Sequence, residues 1–194
     1  GSGHNLILSA DGALWSWGNG EMLGHGDEED QRQPKKVEAF AGRRVLAVSA
    51  GDVHSLALTA DGAVWSWGFG ASGRLGHGDE QSQLLPKKVE AFADQRVVAT
   101  SAGTGHSLAL TSDGAVWSWG FGVYGLPGHG EDLSNQLLPK KVEALAGRRV
   151  IAVSAGGYHS LAITADSAVW SWGWGYSGQQ GHGAQPQQRL PRAA

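Results

Sequence analysis

The feature that most constrains this chain is a repeat of about fifty residues. HNLILSADGALWSWG at 4–18 returns as HSLALTADGAVWSWG at 54–68, HSLALTSDGAVWSWG at 106–120 and HSLAITADSAVWSWG at 159–173. Trp17, Trp67, Trp119 and Trp172 mark the second tryptophan of each copy, and His25, His77, His129 and His182 mark a Gly-His-Gly that follows it. PKKVEA begins at Pro34, Pro86 and Pro139. RVLAVSAG, RVVATSAG and RVIAVSAG begin at Arg44, Arg96 and Arg149. A period of this length means that each copy is one supersecondary unit, which buries its apolar face only against the next copy. The units run approximately over 1–43, 44–95, 96–148 and 149–194, all within a single repeat domain.

Each unit reads as β structure. SLALT and AVWSW are short alternating runs joined by Asp-Gly, and the Gly accepts the positive φ of a tight hairpin. Side chains two apart share a face. Trp65 and Trp67 therefore point one way, toward a neighbouring unit that buries them, and Val64 and Ser66 point the other way. PKKVEAF and VLAVSA supply two further strands. Four short strands per unit predict an all-β, β-propeller-type array of four four-stranded antiparallel blades. A β-solenoid is the other repeat architecture to weigh, but its repeats are usually much shorter.

Composition narrows the function classes. The formal charge is −3 and the longest basic runs are pairs, so the phosphate-neutralising surface of a nucleic-acid binder is not expected. There is no Cys, which removes disulfides, thiolate catalysis and thiolate zinc sites and fits a reducing, intracellular compartment, cytoplasmic or nuclear. No apolar run approaches a membrane span, and the N-terminal residues carry no secretory pattern.

The residues that look chemical are locked to the repeat. All eight His fall at two positions of the unit: His4, His54, His106 and His159 before the first strand of the hairpin, and the four of Gly-His-Gly. An active site needs one constellation, whereas a scaffold needs the same residue in every blade. Each imidazole is expected to tie a turn to a neighbouring strand. The alternative is that equivalent His converge on an axis and hold a divalent metal. Asp11, Asp61, Asp113 and Asp166 are turn residues. No nucleophile elbow occurs, and GFGASG lacks the βαβ context of a dinucleotide loop. No catalytic, cofactor or metal residue is assigned.

The unit V-x-A-V-S-A-G-x-x-H-S-L-A-L-T-x-D-G-x-V-W-S-W-G-x-G-x-x-G-x-L-G-H-G-D resembles the repeat of the regulator of chromosome condensation family over nearly the whole chain. The resemblance implies a propeller of four-stranded blades, typically seven, used mainly as an interaction platform. The founding member is an exchange factor for the small GTPase Ran and binds chromatin. Other relatives sit in large ubiquitin ligases, and one is a plant UV-B receptor. The receptor's light-sensing G-W-R-H-T pattern reads Asp52-Val53, Thr104-Gly105 and Gly157-Tyr158 here, without Trp, so that photochemistry is not expected. No long insertion is available as an exchange wedge.

Four copies share only three R-V-x-A-V-S-A strands, so about one strand in sixteen is missing. The expected array is open, with exposed edges that invite pairing. Two chains closing one another as a homodimer would complete a larger ring. Function should lie where the copies disagree, because variable loops on a rigid scaffold form binding faces. Those places give the candidate partner-binding residues Asp52, Val53, Arg74, Thr104, Tyr124, Tyr158, Trp174 and Tyr176. The reading is a non-enzymatic protein-interaction and assembly module with no nucleic acid or membrane partner. The alternatives are an exchange-factor-like regulator of a small GTPase, and a structural propeller or fragment with no partner beyond itself.

Overall fold

The computed structural model describes residues 1–183 and 187–194. Its strands form four antiparallel sheets. The first holds β1 (His4–Leu8), β2 (Leu14–Gly18) and β3 (Gln31–Lys36). The second holds β4 (Val45–Ala50), β5 (His54–Thr59), β6 (Val64–Gly68) and β7 (Gln83–Lys88). The third holds β8 (Val97–Ala102), β9 (His106–Thr111), β10 (Val116–Gly120) and β11 (Gln136–Lys141). The fourth holds β12 (Val150–Ala155), β13 (His159–Thr164), β14 (Val169–Trp174) and β15 (Gln187–Ala193). Three blades are four-stranded. The first has three strands because it lacks a V-x-A-V-S-A segment of its own, as the uneven count of that motif predicts. The only helical elements among the described residues are short 3-10 turns, and no helix there is long and apolar enough to cross a membrane.

The hairpin follows from local chemistry. In the second blade Gly62 has φ +84°, and the Asp61 carboxylate accepts from the Thr59 hydroxyl at 2.6 Å and the Ala63 amide at 3.3 Å. Those two bonds hold the Asp61 carboxyl below its ordinary range. Pro86 sits in β7, the outer edge strand, where a missing amide costs no ladder bond. The inner strands β4, β8 and β12 pack on one another. The Ala102 amide donates to Ser49 Oγ, and the Ala155 amide to Ser101 Oγ, each at 2.9 Å.

The apolar core is divided into three slabs, one between each pair of successive blades. Between blades two and three it contains Leu56, Leu58, Val64, Phe92, Val97 and Trp119. The two-residue period puts both Trp on one face, and the structure shows that this face points to the preceding blade. Phe92 of blade two meets Trp117 and Trp119 of blade three at ring separations of 5.7 and 5.8 Å. The two ends of the stack lack such cover. Leu58 and Leu110 are 3% exposed, whereas Ile163, at the same position in the fourth blade, is 40% exposed. Trp17 in the first blade is half-buried, while Trp67, Trp119 and Trp172 are fully enclosed.

One local strain follows from the same geometry. Ser167 stands where the other hairpins have Gly12, Gly62 and Gly114, and it adopts φ +67°. In the inner hairpins a side chain is excluded twice, because a methyl group at Gly62 would also lie 2.9 Å from Arg96 Cγ of the next blade. In the last blade only the backbone penalty remains, about 1 kcal/mol for an L-residue. Ser167→Gly is expected to raise stability by no more than about 0.5 kcal/mol, because the added freedom of the unfolded glycine offsets most of the relief. Gly62→Ala is expected to lower stability by more than that. Urea denaturation of both variants checks the pair.

Candidate functional site

The blades are joined by one polar network that recurs at every junction. At the first, Met22 O accepts from Trp67 Nε1 and from Ser55 Oγ, both at 2.9 Å. Ser55 Oγ in turn lies 2.8 Å from His4 Nε2. At the second, Arg74 O accepts from Trp119 Nε1 at 2.8 Å and Ser107 Oγ at 2.9 Å, and His54 Nε2 lies 2.9 Å from that hydroxyl. At the third, Leu126 O accepts from Trp172 Nε1 and Ser160 Oγ, and His106 Nε2 lies 2.9 Å from Ser160 Oγ.

These contacts assign the tautomers. Each serine has one hydrogen and donates it to the carbonyl, so it accepts from the imidazole, which must be protonated at Nε2. The Nδ1 atoms of His4, His54 and His106 are then buried acceptors without a partner. A second proton there would have nothing to bond. Burial pushes His54 and His106 down to about 3 and His4 to about 4, from an ordinary 6.5. The Gly-His-Gly histidines do a different job, within one blade. Ser66 Oγ donates to Leu75 O at 2.7 Å and meets His77 Nε2 at 2.9 Å, and Ser16, Ser118 and Ser171 repeat this with His25, His129 and His182. Among the described residues, no group of three or more His, Asp or Glu is placed to hold a metal.

His159 breaks the pattern. No serine of another blade meets it among the described residues, it is only half-buried, and its Nε2 has no hydrogen-bond partner there. The fourth blade therefore presents an uncovered half of the junction, beside exposed Ile163 and Val169.

The variable segments gather at one end of every blade. His54 pairs with Gly68, and Gly68 with Gln83. The turn before His54, the loop after Gly68 and the approach to β7 therefore open side by side. The candidate partner-binding residues separate within this end. Tyr124, Tyr158, Trp174 and Tyr176 come together from three loops of blades three and four. Tyr124 lies 4.3 Å from Trp174 and 6.4 Å from Tyr158 between ring centroids, and Trp174 lies 4.5 Å from Tyr176. Phe121, not singled out from the sequence as an anchor, joins them at 6.5 Å from Tyr124. Arg74 turns inward. It donates to Ala71 O at 2.7 Å and Thr104 O at 3.0 Å and lies 5.3 Å above the Phe69 ring. Asp52 and Val53 serve the turn through their backbones: the Asp52 amide donates to Gly103 O, and Val53 O accepts from the Phe69 amide.

Fold and junction chemistry together define a repeat β-propeller, with one recurring set of Trp, Ser and His joining its blades. The chain belongs to the RCC1-like domain family, whose signature matches residues 1–194. It is 42% identical over 196 residues to the human E3 ubiquitin-protein ligase HERC2, covering 99% of this chain and 4% of that protein. It is 36% identical over 186 residues to the ultraviolet-B receptor UVR8 of Arabidopsis thaliana, covering 94% of this chain and 42% of the receptor. Among solved structures it superposes on human WBSCR16 with a TM-score of 0.91 at 25% identity, covering the whole chain and 51% of that protein. It superposes on yeast RCC1 (Prp20), crystallised bound to Kap60, with a TM-score of 0.86 at 26% identity, covering the whole chain and 47% of that protein. The chain thus spans about half or less of the length of these relatives.

The junction histidines set a pH dependence. Between pH 6.5 and about 3–4 the unfolded chain takes up protons that buried His4, His54 and His106 refuse. Stability is therefore full above pH 6.5 and falls as pH drops, by up to about 1.4 kcal/mol per pH unit for each such histidine. His54→Gln, which keeps a donor near Ser107, is expected to flatten the decline by one histidine's share. Denaturant midpoints at pH 7, 5.5 and 4.5 measure it.

Proposed function

We propose that this chain is a non-enzymatic protein-interaction and assembly module. The observation that carries the reading is the division of the blade. One end is variable from copy to copy and exposes Tyr158 and Tyr176, while the strands and junctions beneath it repeat almost unchanged. A rigid scaffold with a changing rim is suited to recognition, and exposed tyrosines suit a protein partner. The test places a photo-cross-linking residue at Tyr176, on the variable end, or at Ala146, on the hairpin end. Cross-links to a discrete protein from position 176 alone support the reading; equal labelling from both positions, or none, overturns it.

The uncovered end faces support an assembly role. The fourth blade offers His159, Ile163 and Val169 without a following blade, and the first offers half-buried Trp17 without a preceding one. By the repeat's own rule these faces complement each other, either through further blades of a longer chain or through a second copy. Light scattering of this 20.3 kDa chain over a concentration series is expected to show self-association, reversed by Ile163→Asp. A one-chain mass at every concentration removes the second-copy branch.

A second reading has one observation in its favour. The chain superposes with a TM-score of 0.87 on yeast Prp20p, at 26% identity, in a study of that protein's binding to Gsp1p and histones. Faster nucleotide release from a small GTPase at substoichiometric chain would favour exchange-factor activity.

A further inference from the structure

Equivalent loops at two successive junctions are built differently. Phe69, Ser72 and Arg74 of blade two correspond to Phe121, Tyr124 and Leu126 of blade three. Across each junction, Thr104, Gly105 and Phe121 correspond to Gly157, Tyr158 and Trp174. At the earlier junction the site carries its own cation: the Arg74 guanidinium sits over Phe69, tied to Ala71 O and Thr104 O. At the later junction Leu126 offers no charge, and Tyr124, Tyr158 and Trp174 replace small or single-ring residues. The result is a cavity of about 340 Å³ lined by Phe121, Tyr124, Tyr158 and Trp174.

We propose that this cavity is a cage for a quaternary ammonium group, the side chain of a trimethylated lysine in a partner protein. The proposal rests on the loop-end reading above and gives it a ligand class. Ring faces attract cations through their quadrupoles, and Arg74 on Phe69 shows the same loop position using that attraction within the chain. Ring orientation selects the cation. Tyr124 stands at 76° to Trp174, 90° to Tyr158 and 75° to Phe121, so the rings that line the cavity are steeply inclined to one another rather than stacked as two parallel planes. Such a set encloses a rounded cation better than a flat guanidinium. The four lining residues include no carboxylate to receive N–H donors, which an unmodified ammonium requires and a trimethylated one does not. Tyr124 holds its ring there from a left-handed backbone, φ +67°, and Ser72 adopts the same turn at φ +61° without a ring. Tyr158 is 49% exposed, so the cavity is open to a side chain arriving from solvent.

The test is calorimetric titration of the whole chain with tetramethylammonium and with three short peptides. The peptides carry at their centre a trimethyl-lysine, an unmodified lysine, or the neutral tert-butyl analogue of trimethyl-lysine. The trimethylated peptide is expected to bind roughly tenfold or more tighter than the other two. Tyr124→Ser and Tyr158→Gly install residues the chain already uses at the earlier junction, so the fold is expected to hold, and each should weaken binding about tenfold. Leu126→Arg should supply the internal cation and abolish binding. Equal binding of the neutral analogue, preference for unmodified lysine, or no effect of Leu126→Arg in a folded variant overturns the cage. If no peptide binds while position 176 still cross-links a discrete protein, the cage is wrong and the interaction reading stands; if both fail, both are wrong.

Discussion

The structure depends on a single backbone carbonyl at each junction, that of Met22, Arg74 or Leu126. It receives an indole N–H and a serine hydroxyl from the next blade, and that serine is held by an imidazole from the carbonyl's own blade. A loop carbonyl buried between two sheets would be costly without partners. Satisfying it twice fixes the separation and rotation of neighbouring blades. The Trp ring that carries the donor also fills the apolar slab, so one residue supplies both packing and register. This is why the same Trp, Ser and His recur from junction to junction.

The same network explains how stability and function are partitioned. The strands and junctions are fully committed, and changes there leave buried donors unmet. The loops above them carry only their own turns, which leaves their side chains free to differ. Arg74 and Tyr124 show the consequence: on similar backbones, one loop closes on its own charge and the next opens an aromatic cavity. Both choices leave the carbonyl beneath untouched.

Much of this was legible in the sequence because the chain is its own comparison. The period exposed the hairpins, and the alternation in VWSWG put both Trp on one face that a neighbouring blade must bury. The uneven number of V-x-A-V-S-A strands foretold a first blade with one strand fewer. The histidines were recognisable as scaffold, but not as two kinds. That His54 reaches Ser107, 53 residues on in the next blade, depends on how the sheets stack, whereas His77 stays with Ser66 of its own blade. Arg74 looked like a partner contact because it varies, yet its length and charge turn it inward onto Phe69 and Thr104.

Repetition by itself therefore determined the blade: strand length, turn chemistry and the faces that must be buried, all properties of alternation and φ within about fifty residues. Only the tertiary structure decided what happens between blades. Phe121 and Tyr124 share the loop after β10, but Tyr158 precedes β13 and Trp174 ends β14, and nothing in that spacing says that the four rings meet. They converge because the junction network fixes the rotation of blade four on blade three, and a contact set by that rotation exists only once the sheets are stacked.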